Sequence, residues 1–191
     1  GINNQTGGKI SLSNVNFDVN KNLSSGIQNA GTVNTTNGTF TIDGDNANGI
    51  NNVTTATKAV TNGTNFTVNG NYSNGIVDGK TVTTTGGTFA INGYKSNGIV
   101  GIGGTGIKSE GTVFNISSNN SNGINNLTSG SAKVEIRKHP STLKKAEFNI
   151  AADKQLSNGI FTQNGLVDVD GAKFTAGATT TTTTLGRNNG I

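Results

Sequence analysis

The sequence predicts an all-β fold, a right-handed parallel β-helix of about seven coils, and three observations carry that prediction. A Gly-Ile dipeptide recurs along the chain, and a Phe-x-aliphatic triplet recurs between successive dipeptides. The segments between these landmarks are rich in Gly, Asn, Ser and Thr. Self-similarity at periods of roughly 20 to 50 residues is typical of solenoids. The first five units are 23 to 26 residues long, and we predict that each forms one coil with three short strands and three turns.

The first landmark is Asn-Gly-Ile, and each of its positions has a predicted role. We expect Ile to point into the core, Gly to end the preceding turn with a positive φ, and Asn to form an amide ladder from coil to coil. The Ile positions are Ile27, Ile50, Ile76, Ile99, Ile124 and Ile160. The Asn positions are Asn48, Asn74, Asn97, Asn122, Asn158 and Asn189.

The other two landmarks predict the remaining strands of each coil. Phe lies ten residues before the closing Ile in each of the first five units, so this side of the coil has a fixed length. The Phe positions are Phe17, Phe40, Phe66, Phe89, Phe114 and Phe148, with a weaker copy at Phe174. An aliphatic residue lies six or seven residues earlier, at Ile10, Val33, Val60, Val82, Ile107 and Val167. Flanking Thr residues favour pleated strands.

Two alternatives to a parallel solenoid fit the sequence less well. Helices are excluded because Gly and Asn recur too often and no apolar stripe has helical spacing. Antiparallel hairpins suit a chain rich in Gly and Asn, but they do not explain why one triplet recurs once per unit. A right-handed coil is expected from the handedness of parallel strand crossovers.

Composition excludes several kinds of site. The chain has no Cys, which removes disulfides, thiol catalysis and Cys-zinc centres. No apolar run approaches the roughly 20 residues that span a bilayer, so we expect no membrane insertion by this segment. His139 is the only histidine and lies beside the only proline. It has no second His or Cys as a co-ligand, and we predict no metal and no cofactor.

The sixth unit is the longest, and its extra residues carry the charge of the chain. Between positions 133 and 145, five cations stand against Glu135 alone, which equals the formal net charge of +4. We predict a basic insertion loop over residues 131–147 that leaves the coil path. The cations are Lys133, Arg137, Lys138, Lys144 and Lys145. They form either a contact site for an anionic glycan or protein, or a solvated loop that keeps the rod soluble.

Two further features complete the domain prediction of one solenoid over residues 1–191. A Thr-rich stretch over residues 176–188 has no periodic apolar face and predicts a second insertion loop. The chain begins "GINN" and stops "NNGI", at equivalent points of the coil, without a capping unit. We therefore expect continuation with further repeats of a longer protein, or end-to-end stacking of copies.

Enzymatic chemistry has one candidate pair of carboxylates. In "VDVDG", Asp168 and Asp170 lie on one strand face about 6 to 7 Å apart, which is within the range used for glycoside hydrolysis. We favour a solvated strand edge with Val167 and Val169 facing in. The polar stretch with Asp43 and Asp45 resembles a calcium loop only loosely, because it lacks the Gly and the bidentate Glu of an EF-hand. We interpret it as a turn.

The repeats resemble the passenger regions of large bacterial autotransporter adhesins. The blocks that carry the resemblance are "NGTFTIDGDNANGI", "TTGGTFAINGYKSNGI" and "LSNGIFTQNGLVDVDGAKFT". A weaker similarity, through Phe-x-x-Asn, is to chlamydial polymorphic outer-membrane proteins, but "NGI" replaces the second element of that repeat. The first resemblance implies a right-handed β-helix that is secreted through a two-membrane envelope and displayed at the bacterial surface.

The function expected from this resemblance is structural and adhesive. The chain would be a rigid stalk, displayed at the cell surface or secreted, whose loops bind a host or bacterial surface glycan or protein. A polysaccharide-cleaving β-helix enzyme, or a phage-type glycan-binding solenoid, is the alternative. Nucleic acid is not an expected partner, since the basic cluster contains no aromatic residue for stacking.

Overall fold

The chain forms a parallel β-solenoid with three strands in each coil. The computed structural model describes residues 1–103, 106–128, 132–163, 165–177 and 188–189. Within these residues there are strands and turns but no helix. The strands build three parallel sheets, each of which takes one strand from every coil. The predicted fold class is therefore confirmed, with about seven turns.

The three sheets are named A, B and C, in the order in which the chain visits them. Sheet A contains Ile2–Asn4 (β1), Ser25–Asn29 (β4), Asn48–Asn52 (β7), Asn74–Asp78 (β10), Asn97–Gly101 (β13), Asn122–Asn126 (β16), Ser157–Thr162 (β19) and Asn188–Asn189 (β22). Sheet B contains Lys9–Ser13 (β2), Thr32–Thr36 (β5), Lys58–Asn62 (β8), Thr81–Thr85 (β11), Gly106–Glu110 (β14), Lys133–Arg137 (β17) and Leu166–Val169 (β20). Sheet C contains Asn16–Val19 (β3), Thr39–Ile42 (β6), Asn65–Val68 (β9), Thr88–Ile91 (β12), Val113–Ile116 (β15), Ala146–Ile150 (β18) and Ala172–Ala176 (β21).

Equivalent residues stack in register from coil to coil. Ile76 pairs with Ile50 on one side and with Ile99 on the other, and all three side chains are fully buried. The phenyl rings of sheet C form one column in which neighbouring centroids are 4.6 to 5.0 Å apart and the planes are within 10° of parallel. Burying a Phe side chain contributes about 1.5 to 3 kcal/mol. The stacked rings and isoleucines explain how a chain with 30% hydrophobic residues makes a core.

The predicted amide ladder of Asn-Gly-Ile is confirmed. Asn74 donates from Nδ2 to Oδ1 of Asn48 (3.0 Å), and Asn97 donates to Asn74 (2.9 Å). Asn122 donates to Asn97 (2.9 Å), and Asn158 donates to Asn122 (2.8 Å). The backbone of Asn189 pairs in the same register with Asn158. Asn74, Asn97 and Asn122 thus each act as donor to one neighbour and acceptor from the next.

The role predicted for the glycine of this triplet is wrong. The described glycines with positive φ lie elsewhere, as in Gly63, Gly86 and Gly111. A Cβ on Gly98 would lie 2.6 Å from the carbonyl oxygen of Gly123 and 3.0 Å from Cδ1 of Phe114. Glycine is therefore required because the phenyl column and the adjacent strand leave no space for a side chain. The left-handed residue of this turn comes three positions earlier, as at Lys95 (φ 53).

One inward position of sheet B was assigned to the wrong residue. Val82 pairs with Ala59, and Ala59 is fully buried, whereas Val60 pairs with Thr83 and is only partly buried. The seven-residue spacing of the other coils leads from Phe66 to Ala59, but Val60, at six residues, was chosen as the larger aliphatic residue. The register of the sheet, which is set by pairing along the whole strand, places the small Ala side chain in the core instead.

Two buried polar columns support the turns that flank sheet A. In the first, Asn29 donates to Oδ1 of Asn52 and accepts from Asn4, with both distances 2.7 Å. In the second, the hydroxyl of Ser73 accepts from the backbone N–H of Ala47 and donates to the carbonyl of Gly44. Ser96, Ser121 and Ser157 repeat this arrangement. Buried backbone groups of the turns are satisfied in this way.

The predicted insertion loop over 131–147 has the wrong boundaries. Residues 133–137 form β17, which pairs with β14 and β20, and β18 begins at Ala146. The inserted residues are 138–145, because the alternation of Val134 and Ile136 keeps the preceding segment in sheet B. The predicted Thr-rich loop over 176–188 lies largely outside the described residues. Its described ends belong to β21 and β22.

Candidate functional site

The basic segment that the sequence singled out lies on sheet B and at the corner between sheets B and C. Lys133 and Arg137 are on β17, while Lys138, Lys144 and Lys145 are on the inserted loop. The predicted cluster is therefore divided between a strand face and a loop. We call Lys133, Glu135, Arg137 and Asp168 the ion-pair face, and residues 138–145 the lysine loop.

The ion-pair face is a closed network of two cations and two carboxylates. Arg137 donates from Nη2 to Oδ2 of Asp168 (2.6 Å) and from Nη1 to Oδ1 (3.3 Å). Lys133 places Nζ 2.8 Å from Oδ2 of Asp168 and 2.6 Å from Oε1 of Glu135. The contacts arise because Glu135 pairs with Asp168 in register across β17 and β20. The four side chains together carry no net charge.

The network shifts the pKa values of its members toward the ionised forms. Hydrogen bonds from Arg137 and Lys133 lower the pKa of Asp168 to about 2. A hydrogen bond from Lys133 lowers the pKa of Glu135, and hydrogen bonds to Asp168 and Glu135 raise the pKa of Lys133. All four groups stay charged around neutral pH. The predicted anion site therefore loses Lys133 and Arg137, whose charges are already compensated.

The lysine loop contains the three cations of the predicted cluster that lie outside the ion-pair face. Lys138, Lys144 and Lys145 are exposed, and within the described residues they make no salt bridge. The loop closes on itself through backbone hydrogen bonds from His139 N–H to the Lys144 carbonyl (2.8 Å) and from Leu143 N–H to the His139 carbonyl (2.9 Å). This turn brings the backbone of Lys144 beside that of His139, the residue after Lys138.

His139 anchors the lysine loop to the solenoid. Its Nδ1 accepts from the backbone N–H groups of Ser141 (3.3 Å) and Thr142 (3.2 Å). Its ring and backbone lie against Gly86 and Gly111, where a Cβ on Gly111 would collide with His139. Glycines at this corner therefore let the loop rest on the coil. The structure gives the single histidine a role in loop geometry.

Two shallow grooves border these features. One groove of about 360 Å³ lies along sheet B, and Thr81, Thr83, Lys108, Lys133 and Glu135 contribute to its walls. The other, of about 320 Å³, lies under the lysine loop. It is lined by the glycine corner and by His139, Thr142 and Lys144. The lysine loop thus forms one wall of an open depression on the surface of the rod.

The two carboxylates considered for catalysis, Asp168 and Asp170, lie in different surroundings. Asp168 is in the ion-pair face, whereas Asp170 follows the end of β20 and is exposed. Asp43 accepts a hydrogen bond from Asn69 (2.8 Å), and Asp45 accepts from the backbone N–H of Asn71 (2.8 Å). The turn interpretation of that segment is confirmed. Within the residues described, no group of three or more His, Cys, Asp or Glu is placed to hold a metal ion.

Sequence reasoning missed the partners that neutralise β17. From the sequence, Glu135 was counted only as one negative charge, and Asp168 only as a candidate catalytic acid. Asp168 lies 31 residues from Arg137 in the chain, so their ion pair was not expected. Aligning the sixth and seventh repeats at Val134 and Val167 would have placed Glu135 beside Asp168.

No long apolar helix that could cross a membrane occurs among the described residues.

Comparisons with protein-family models, with curated proteins and with solved structures found no match to this chain. The solenoid and the surfaces described above are therefore the basis for assigning a function.

Proposed function

We propose that this chain is a structural and adhesive segment of a bacterial surface-exposed or secreted protein, a rigid stalk that displays loops for binding to other surfaces. The observation that carries the proposal is the continuous stacking of side chains along the rod. Phe17 and Phe174 lie at the two ends of a phenyl column with a ring in every coil between them. A column of this kind ties each coil to its neighbours.

Stiffness follows from how few groups are free to move. The phenyl column, the Asn ladder and the two buried polar columns all run parallel to the axis of stacking. Bending the rod would pull stacked groups apart in several columns at once. Well-packed protein interiors resist such deformation. A rod of this kind would hold its loops at a fixed distance from the surface to which it is attached.

The lysine loop is the proposed contact site of the stalk. Its three lysines are exposed, and one of them, Lys144, lines an open groove. This arrangement suits salt-sensitive attraction to a sulfated or carboxylated surface polymer. The resemblance of the repeats to autotransporter passengers supports placement at a bacterial surface. Attachment through this loop is the adhesive part of the proposed function.

Retention on immobilised heparin tests the contact site. We expect the purified chain to bind at low salt and to elute as salt rises. A variant with Lys138→Glu, Lys144→Glu and Lys145→Glu should flow through. The matched control changes Lys9, Lys21 and Lys58 to Glu, which alters net charge equally at other positions, and should still be retained. Equal loss of retention in both variants would show that only net charge matters and would overturn the proposed site.

Polysaccharide cleavage is the second candidate function. The observation that favours it is that Glu135, Asp168 and Arg137 come together beside the groove on sheet B. Against it, the pKa values of both carboxylates are lowered, so neither holds a proton for general acid catalysis around neutral pH. Incubation with uronate polymers, followed by an assay for new reducing ends, tests it. Activity that disappears in Glu135→Gln would favour the enzyme.

A further inference from the structure

Two exposed tyrosines on neighbouring coils form an aromatic corner at the turn that leads into sheet A. The rings of Tyr72 and Tyr94 are perpendicular, with centroids 5.9 Å apart, and are 49% and 39% exposed. Nζ of Lys95 lies 5.6 Å from the centroid of Tyr72 and 5.3 Å from that of Tyr94. We call these three residues the tyrosine corner.

Tyr94 interrupts a hydrogen-bond ladder that other coils maintain. Asp45 accepts from the backbone N–H of Asn71 (2.8 Å), and Asn71 accepts from that of Tyr94 (3.0 Å). Two coils later, Asn119 accepts from Gln155 (2.9 Å). A phenol ring carries no acceptor close to its own backbone, so Tyr94 cannot continue the ladder to Asn119. The fold alone favours Asn or Asp at this position.

Tyr72 occupies a position where the backbone also favours Asn. Its φ is 55°, and Asn46 and Asn120 hold the equivalent left-handed position in other coils. Left-handed backbone is less costly for Asn than for a bulky residue. Leu23 and Leu156 show that this turn tolerates large side chains. At Tyr72, however, the bulky residue also meets a second aromatic ring that the fold does not require.

A file of exposed polar side chains runs beside the tyrosine corner. Asn69 donates to Asp43 (2.8 Å), Asn92 donates to Asn69 (2.8 Å), and the Ser117 hydroxyl donates to Asn92 (2.6 Å). Asn69 and Asn92 precede Tyr72 and Tyr94 by three and two residues in the same turns. The aromatic surface is thus flanked by amides and a hydroxyl instead of by further apolar side chains.

We propose that the tyrosine corner is a binding site for a pyranose ring of an acidic glycan. The apolar face of the sugar would stack on an exposed tyrosine, and its hydroxyls would bond to the polar file. The ammonium group of Lys95 would bind the carboxylate or sulfate. A protein partner would need a wider apolar surface than two rings provide. This inference deepens the proposed adhesive role, on which it rests, and names a site separate from the lysine loop.

Titration of the full chain with sialyllactose, followed by NMR, tests the proposal, with lactose as the neutral comparison. We expect saturable binding of sialyllactose and weaker binding of lactose. Tyr94→Asn restores the residue type of the ladder, so it should fold normally and lose about tenfold or more in affinity for sialyllactose. Lys95→Gln should weaken sialyllactose and leave lactose unchanged. Leu156→Asn, in the column of Lys95 and two coils away from it, is the control and should bind like the original chain.

Two results would overturn this site. One is the absence of saturable sialyllactose binding by the folded chain, and the other is unchanged affinity in Tyr94→Asn. Retention on heparin is measured on the same proteins. In the original chain, retention on heparin without saturable sialyllactose binding would remove the tyrosine corner and leave the proposed contact site standing. In Tyr94→Asn, where the lysine loop is intact, weakened sialyllactose binding with heparin retention kept is the expected result.

Discussion

Asn52 donates from Nδ2 to Oδ1 of Asp78 at 3.4 Å, which places a carboxyl group directly after the amides of Asn4, Asn29 and Asn52 in a buried column. Asp78 is 1% exposed, and within the described residues its Oδ2 has no hydrogen-bond partner. The equivalent position in the next coil is Gly101, which has no side chain to donate. Burial therefore raises the pKa of Asp78 from 3.8 to about 6, despite hydrogen bonds from Lys80 N–H and Asn52 that lower it.

The raised pKa predicts that Asp78 lowers stability as pH rises. Below about pH 4 the carboxyl is protonated in both states and there is no penalty. Between pH 4 and 6 the unfolded chain releases the proton while the folded chain keeps it, so the free energy of unfolding falls. Above pH 6 the full penalty remains, about 3 kcal/mol from the size of the shift. Asp78→Asn should therefore stabilise the chain at pH 7.5 and have much less effect at pH 4.

Denaturant unfolding at several pH values measures this effect. The control is Asp18→Asn, on an exposed position of β3, which should change stability little at any pH. A stability difference between Asp78→Asn and the original chain that is the same at pH 4 and pH 7.5 would refute the assignment.

The glycine of Asn-Gly-Ile gives a second prediction. Gly98→Ala places a Cβ 2.6 Å from the carbonyl oxygen of Gly123, so the adjacent strand or the phenyl column has to shift. We expect a loss of about 3 kcal/mol or more in unfolding free energy. Gly103→Ala is the matched control, because its nearest contact would be an ordinary 3.6 Å from Cγ2 of Thr54. Comparable stability of the two variants in denaturant unfolding would contradict the steric argument.

The amide ladder gives a third prediction. Asn97 donates to Asn74 and accepts from Asn122, so Asn97→Ala removes two hydrogen bonds and leaves groups on both neighbours unpaired. A loss of about 1 to 3 kcal/mol is expected in the free energy of unfolding. Asn16→Ala, at an exposed position of β3, is the comparison. If both substitutions have the same small effect, the ladder does not stabilise the rod.

The ion-pair face gives a fourth prediction, on binding. Asp168→Asn removes the carboxylate that accepts from both Lys133 and Arg137. Glu135 still pairs with Lys133, so the face gains one net positive charge, which would add to those of the lysine loop. Elution from heparin should then require more salt than for the original chain. Asp18→Asn makes the same change in net charge away from the site and serves as the control. An equal shift in both variants would mean that position does not matter.

Much of the fold could be predicted because the repeat imposes one spacing on every coil. The intervals between Phe89, Ile99 and Phe114 predict the strand order, and the recurrence of Asn before Gly-Ile predicts the ladder. The buried amide column also has a signal in the sequence, since Asn29 and Asn52 each follow an Ile by two residues. Only the burial of both residues in the structure shows that this pattern marks a column of amides.

The candidate site was harder to predict because it depends on register between coils. Charge counting grouped Lys133 with Lys144, but pairing of β17 with β20 brings Asp168 to Lys133 and leaves Lys144 uncompensated. The tyrosine corner was missed for a related reason. Tyr72 and Tyr94 occupy different positions of their own turns and come together only when the coils are stacked.

The central claim is that this rod is an adhesive stalk, and attachment of cells that display it tests that claim most directly. The chain is fused to a surface-display anchor, its exposure is confirmed with an antibody, and attachment to a layer of sulfated glycan is counted. The expectation for an adhesive stalk is attachment above that of cells with the anchor alone, which is lost when the three lysines of the loop become Glu and kept when Lys9, Lys21 and Lys58 are changed instead. Displayed chain with no attachment above the anchor alone would contradict it.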